Sequence, residues 1–114
     1  MSSPTIVGLR HKVGAVNRGI IIIYKMKNPG VYILKSTKNG KYYTGSTNDI
    51  ERRTNEHNMG KVSATRKTKP WSLEIFIPCL NSTEAKQSEY RLKKYKRKDI
   101  LEKVIKDVIF PWNH

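Results

Sequence analysis

The chain has 114 residues, and its 23 lysines and arginines outnumber 9 acidic residues to give a formal net charge of +14 at pH 7. That length predicts a single domain with one modest core, and the lone cysteine, Cys79, excludes an intrachain disulfide and a thiolate metal cluster. The charge calls for an anionic partner, nucleic acid before a membrane surface, because phosphate neutralisation supplies most non-specific affinity; a solvated basic surface or a ribosome-associated protein without chemistry is the plainer alternative.

Residues 1–29 hold five basic residues and no acidic ones, with Gly8, Gly14 and Gly19 and no helical period. The run Ile20, Ile21, Ile22, Ile23, Tyr24 is either an extra β-strand or part of a segment with no fold of its own. It is too short to span a bilayer or to serve as a signal-peptide core, so a soluble, cytoplasmic protein is expected.

From residue 31 the pattern becomes regular. Residues 31–35 read as a buried strand, Asn39-Gly40 marks a turn, and residues 41–45 read as the returning strand. Residues 46–49 are rich in N-cap types, which predicts a helix from Ile50, with Gly60 as its stop. Residues 61–70 form a basic loop, and residues 71–78 alternate as a third strand does. Asn81 followed by Glu84 has the spacing of a capping box, opening a second long helix. Residues 99–108 give a third helix with Ile100, Val104, Ile105 and Val108 on one face. The order β-β-α-β-α-α predicts an α+β domain, a small three-stranded mixed or antiparallel sheet flanked by helices.

Helical phase singles out polar residues that turn inward. Ile50 anchors the first helix, and Arg53, Thr54 and His57 share its face, whereas Arg52 is rotated about 100° away toward solvent. In the second helix Ala85, Leu92 and Tyr95 define the apolar side, and Glu89 lies on it. A carboxylate there needs a partner; a salt bridge, with Arg53 as one partner within reach, is the plainer alternative to a functional role. Tyr32 and Tyr43 each point to the opposite face of the strand from their immediate neighbours. A lone strand tyrosine is usually core, but a buried phenol needs a hydrogen-bond partner. Gly45, just before a helix start, leaves room for close backbone approach by a ligand. Trp71 reads as core and Trp112 as a possible stacking surface for unpaired bases; His11 and His114 have no ligand spacing with any other group.

These residues resemble the GIY-YIG nuclease family, in particular its small standalone members, which are similar to the nuclease domain of the nucleotide-excision-repair incision subunit. Gly30-Val31-Tyr32 looks like the first triplet and Tyr43-Thr44-Gly45 like the second. The run YTGSTNDIERRTNEH, residues 43–57, is similar to the family's second strand and first helix, and TEAKQSEYRLKKYKR, residues 83–97, to the helix bearing its metal-binding glutamate. The resemblance covers about residues 27–106. It implies a nuclease domain over residues 27–108, with 1–26 a basic extension and 109–114 a C-terminal tail. It implies catalytic roles for Tyr32, Tyr43, Arg53, His57 and Glu89, with Glu89 holding Mg2+ or Mn2+. Val31 and Thr44 depart from the triplets without removing a reacting group.

The activity so implied is one-metal hydrolysis of DNA phosphodiester bonds, in repair, recombination or processing. One carboxylate suffices for a magnesium ion that takes its other ligands from water and phosphate. Arg53 offers phosphate a planar fork, and Tyr32, assisted by Tyr43, positions or deprotonates the attacking water, which requires the metal or Arg53 to lower its pKa. His57 orients a neighbour or relays a proton. Two cationic segments, Lys61, Arg66, Lys67 and Lys69, then Arg91, Lys93, Lys94, Lys96, Arg97 and Lys98, read as a phosphate track together with Gly45. DNA is the expected partner and RNA the second candidate, with no membrane and no small-molecule cofactor. The rival reading is a non-catalytic DNA- or RNA-binding module on the same fold.

Overall fold

The computed structural model describes residues 28–95 and 97–113, so the expectations for residues 1–26, His11, Lys96 and His114 lie outside it. The elements run β1 (Gly30–Ser36), β2 (Tyr42–Thr47), α1 (Ile50–Asn58), β3 (Trp71–Pro78), α2 (Ser82–Leu92) and α3 (Lys98–Asp107), with a short 3-10 turn at Arg66–Thr68. This is the expected β-β-α-β-α-α order. The sheet is antiparallel throughout, with β1 in the centre, β2 on one side and β3 on the other.

β1 is buried on both faces. Tyr32 and Leu34 pack with Ile50, Trp71 and Phe76 on the α1 side. Val31 and Ile33 pack with Ile75, Leu92, Val104, Ile105 and Phe110 on the side of α2 and α3. The strand is therefore a run of apolar residues that alternates between two cores, the pattern expected of a strand covered by helices on both sides. β2 runs two residues further than its composition suggested, because Ser46 and Thr47 still pair with Val31 and Gly30. The turn between β1 and β2 is wider than a two-residue hairpin. The Ser36 N–H donates to Lys41 O, and the Ser36 hydroxyl accepts the N–H groups of Lys38 and Asn39. Gly40 takes the positive φ (76°) that closes it.

Local capping explains where the helices begin and end. Asp49 caps α1 by accepting the Arg52 N–H at 3.2 Å. At the other end Gly60, at φ 77°, lets Lys61 N–H reach back to Glu56 O at 3.0 Å. Asn81 accepts the Glu84 N–H at 2.8 Å and opens α2. Helix α2 closes at Leu92, before Tyr95, because Lys94 and Tyr95 turn back with tighter hydrogen bonds to Arg91 and Leu92. α3 starts one residue before its expected position and ends on Val108 in the left-handed region, φ 58°. Trp71 is core, as expected, and fixes the start of β3 to the end of α1: its N–H donates to Asn58 Oδ1 at 2.6 Å and its carbonyl accepts from Asn58 Nδ2 at 3.1 Å. Among the described residues no helix is long and apolar enough to cross a membrane.

Candidate active site

The site wraps around the outer edge of β2. Cross-strand neighbours share a face, so the register Tyr32↔Gly45 and Leu34↔Tyr43 puts both tyrosines under α1. The same register, Val31↔Ser46, puts Ser46 on the α2 face. Arg53 and His57 come from α1, while Glu89 comes from α2 across the sheet and meets the edge through Ser46. Four of the five polar residues therefore lie on one face, and Glu89 reaches the group around the edge strand.

On the α1 side Tyr32 Oη lies 2.9 Å from His57 Nε2 and accepts a long hydrogen bond from Arg53 Nε at 3.4 Å. The Tyr43 ring stands edge-on to that of His57, centroids 5.1 Å apart. His57 is fully buried, at 0 % exposure, and its Nδ1 lies 2.7 Å from Thr65 Oγ1. Burial, then the positive charge of Arg53, lowers the His57 pKa to about 4, so the imidazole is neutral at pH 7. Burial also raises the Tyr32 phenol to about 12, with the hydrogen bond and charge of Arg53 opposing. Arg53 thus pulls in the expected direction and is outweighed by desolvation.

Arg53 Nη1 bonds Glu56 Oε1 at 2.9 Å, an i,i+3 pair on its own helix, and Arg52 holds the other Glu56 oxygen at 2.9 Å. The Arg53–Glu89 salt bridge, the plainer alternative to a functional Glu89, is not formed. Hydrogen bonding to Glu56, then to Tyr32, raises the Arg53 pKa further, which keeps the guanidinium permanently cationic. Glu89 instead accepts the Ser46 hydroxyl at 2.6 Å and the Lys93 ammonium at 2.7 Å. That ammonium also stands 5.7 Å from the centroid of the Tyr43 ring. Among the described residues no three His, Cys, Asp or Glu side chains cluster as a metal cage. A cleft of about 330 Å³ opens beside the group, lined by Ser46, Asn48, Arg52, Arg53, Ser82 and Lys86.

Gly45 is buried, and the space it leaves is filled by Tyr32: a Cβ there would overlap the phenol oxygen. Packing of the tyrosine ring is by itself a reason for a glycine at this position. Gly30 does the same for Phe76, whose ring carbon would lie 2.5 Å from an added Cβ. Both triplet glycines therefore make room for aromatic rings.

The cationic residues lie outside this cluster, apart from Lys93. Lys61, Arg66, Lys67 and Lys69 are exposed on the loop between α1 and β3, and Lys98 is exposed at the start of α3. Arg91 stacks on Trp112 at 4.3 Å, Lys94 stands over Tyr90 at 4.7 Å, and Arg97 pairs with Asp99 at 2.6 Å. Trp112, considered as a stacking surface for bases, lies between Arg91 and the Phe110 ring, to which it is stacked at 4.8 Å. Thr65 and Ser46 are the polar partners that sequence reasoning missed. An isolated threonine in a basic loop has no periodicity to mark it, and Ser46 registered only as a residue before a helix.

Two tyrosines and an arginine on one face of an antiparallel β-β-α-β-α-α domain, with a glutamate at its edge, belong to a recognisable class. Residues 28–104 match the model of the GIY-YIG catalytic domain, and the chain belongs to the GIY-YIG family, a family of nucleases. Its curated relatives include a UPF0213 protein of Halobacterium salinarum, 38% identical over 68 residues (59% of this chain, 87% of the relative). A UPF0213 protein of Clostridium perfringens is 41% identical over 73 residues (63% and 77%), and the UPF0213 protein YhbQ of Escherichia coli 32% over 81 residues (70% and 80%). No solved structure is significantly similar to the chain.

Proposed function

We propose that the protein is a metal-dependent endonuclease that hydrolyses DNA phosphodiester bonds, in repair, recombination or processing of DNA. The observation that carries this reading is the convergence, around one edge strand, of Tyr32, His57 and Arg53 with the Ser46-held carboxylate of Glu89. The donor set suits Mg2+ or Mn2+: one carboxylate, with waters and phosphate oxygens completing the shell, is how magnesium is commonly held. Bound at Glu89, the ion would polarise the phosphate and stabilise the leaving oxygen.

The protein's own groups supply the rest. Glu56 fixes one edge of Arg53, whose Nη2 makes no hydrogen bond among the described residues and is free to meet a phosphate oxygen in the cleft. Tyr32, neutral at pH 7, orients the attacking water and takes its proton only if its own proton can move on. His57 Nε2, neutral and 2.9 Å away, is the group positioned to receive it. Lys93 neutralises Glu89, and would be free to turn toward phosphate if a metal ion took its place at that carboxylate. The cationic loop at Lys61, Arg66, Lys67 and Lys69 supplies the main hold on the backbone of the nucleic acid, and the segment from Arg91 to Lys98, most of whose described cations have protein partners, the lesser one.

The test is a plasmid-nicking assay with magnesium and with EDTA. Glu89→Ala and Arg53→Ala are each expected to reduce nicking by at least about 10²-fold while leaving DNA binding nearly intact. Full nicking by Glu89→Ala would overturn the mechanism. Tight binding with no metal-dependent cleavage in the unaltered protein would favour the binding-module reading instead.

A further inference from the structure

Thr65 sits in the middle of the cationic loop yet is fully buried. Its backbone is held from both sides: its N–H donates to Val62 O at 3.1 Å, and its carbonyl accepts from Trp71 Nε1 at 3.0 Å and from the Thr68 N–H at 3.2 Å. Its hydroxyl oxygen is 2.7 Å from His57 Nδ1 and 3.4 Å from Val62 O. Thr65 therefore ties the loop to the core through a side chain that hydrogen-bonds the Nδ1 side of the histidine.

Counting donors and acceptors assigns the hydrogens. Arg53 is donor-only, so it cannot take the Tyr32 hydroxyl hydrogen. Among the described residues His57 Nε2 is the acceptor bonded to that hydroxyl. With Nε2 accepting, the neutral imidazole carries its hydrogen on Nδ1 and donates it to Thr65 Oγ1. Thr65 then sends its own hydrogen to Val62 O. In the opposite tautomer Nε2 and Arg53 Nε both donate to the phenol, and the phenol hydrogen has no acceptor in the group. The first assignment satisfies every buried hydrogen along the chain Tyr32, His57, Thr65, Val62, as buried polar groups require.

We infer that Thr65 is a positioning residue for the reaction: it fixes the Nδ1–H tautomer of His57 and so keeps Nε2 open to the Tyr32 proton. The inference rests on the nuclease reading above. As the water oxygen bonds to phosphorus and the bond to the leaving oxygen breaks, the water proton passes to Tyr32 Oη. The phenol proton passes to Nε2, and the leaving oxygen takes a proton from solvent. The imidazolium is steadied by Thr65 through Nδ1–H until it returns its proton to solvent.

The experiment is long-range 1H–15N correlation NMR of His57 in the full-length protein, in parallel with nicking rates, for the unaltered chain, Thr65→Ser and Thr65→Val. The Nδ1–H tautomer is expected in the unaltered protein and in Thr65→Ser, which keeps the hydroxyl. Thr65→Val is expected to shift the ring toward Nε2–H and to lower kcat by at least about tenfold with little change in KM. An Nε2–H tautomer in the unaltered protein overturns the inference even if Thr65→Val fails to fold. So does a Thr65→Val protein with unchanged tautomer and rate. A protein whose tautomer follows Thr65 but which cuts nothing supports the hydrogen-bond assignment and overturns the nuclease reading, so the two failures are distinguishable.

Discussion

At His57 the fold encloses an imidazole that burial and the nearby Arg53 charge hold neutral, with a pKa of about 4 against an ordinary 6.5. Glu56 pulls the other way and is the weaker influence. A group whose folded pKa is depressed contributes stability that is fully present above its unfolded pKa and is lost as pH falls toward the folded value. The window here runs from about pH 6.5 down to about 4. Between pH 7.5 and 5 the protein should lose up to about 2 kcal/mol that a His57→Gln variant does not lose. Urea midpoints at the two pH values measure the difference, and equal losses in the two proteins would mean that the ring titrates freely. The inward turn of His57 and Arg53 is legible in the sequence because both lie on the Ile50 face of α1. The Glu56 partner of Arg53 was equally within reach, since i,i+3 charges of opposite sign face each other on a helix. Ser46 and Thr65 are contacts between distant segments, and local spacing carries no record of those.

At the scale of elements, α1 contains one internal conflict. Thr54 follows Ile50 by one turn on the inward side, and its hydroxyl is buried with no hydrogen-bond partner among the described residues. An orphaned hydroxyl carries a desolvation cost that a methyl group of the same shape does not. Thr54→Val is therefore expected to stabilise the protein by about 1 kcal/mol, since the two side chains have similar helix propensity and shape. Urea denaturation measures it, and a loss of stability would reveal a polar partner for the hydroxyl. The elements themselves were largely legible: three strands, the starts of α1 and α2 and the Gly60 stop follow from alternation, capping residues and a glycine after a helical run. The two-sided burial of β1 was the harder feature. A continuous apolar strand does not say which helix covers which face, and for that reason the sequence could bring Glu89 toward the tyrosines but could not route it around the edge of β2. The early end of α2 has a similar origin, because Tyr95 keeps helical spacing with Leu92 while the backbone has already turned.

At the scale of the whole molecule, the charge of +14 is not equally available everywhere. In the segment following Glu89, Lys93 is paired with that carboxylate, Arg97 with Asp99, Arg91 with the face of Trp112 and Lys94 with that of Tyr90. In the loop between α1 and β3, Lys61, Arg66, Lys67 and Lys69 are exposed, and none forms an ion pair among the described residues. Cations without a protein partner are the ones whose counterions a phosphate backbone releases in full. Replacing all four loop residues by glutamine should therefore make the plot of log K against log salt for duplex DNA shallower by about 3 to 4, close to 0.9 for each phosphate left unneutralised. Arg97→Gln should change it by well under about 1, because Asp99 already neutralises that guanidinium and few phosphate counterions depend on it. Binding is measured in EDTA, so that cleavage does not intrude. The loop variant should then raise KM while leaving kcat within about threefold, since phosphate contacts away from the reacting bond hold ground state and transition state alike. An unchanged slope in the loop variant together with a full drop in Arg97→Gln would move the main hold on the nucleic acid to the other segment. A fall in kcat matching the rise in KM would mean instead that the loop acts on the chemistry, and the route for that is the hydrogen bond it sends through Thr65 to His57.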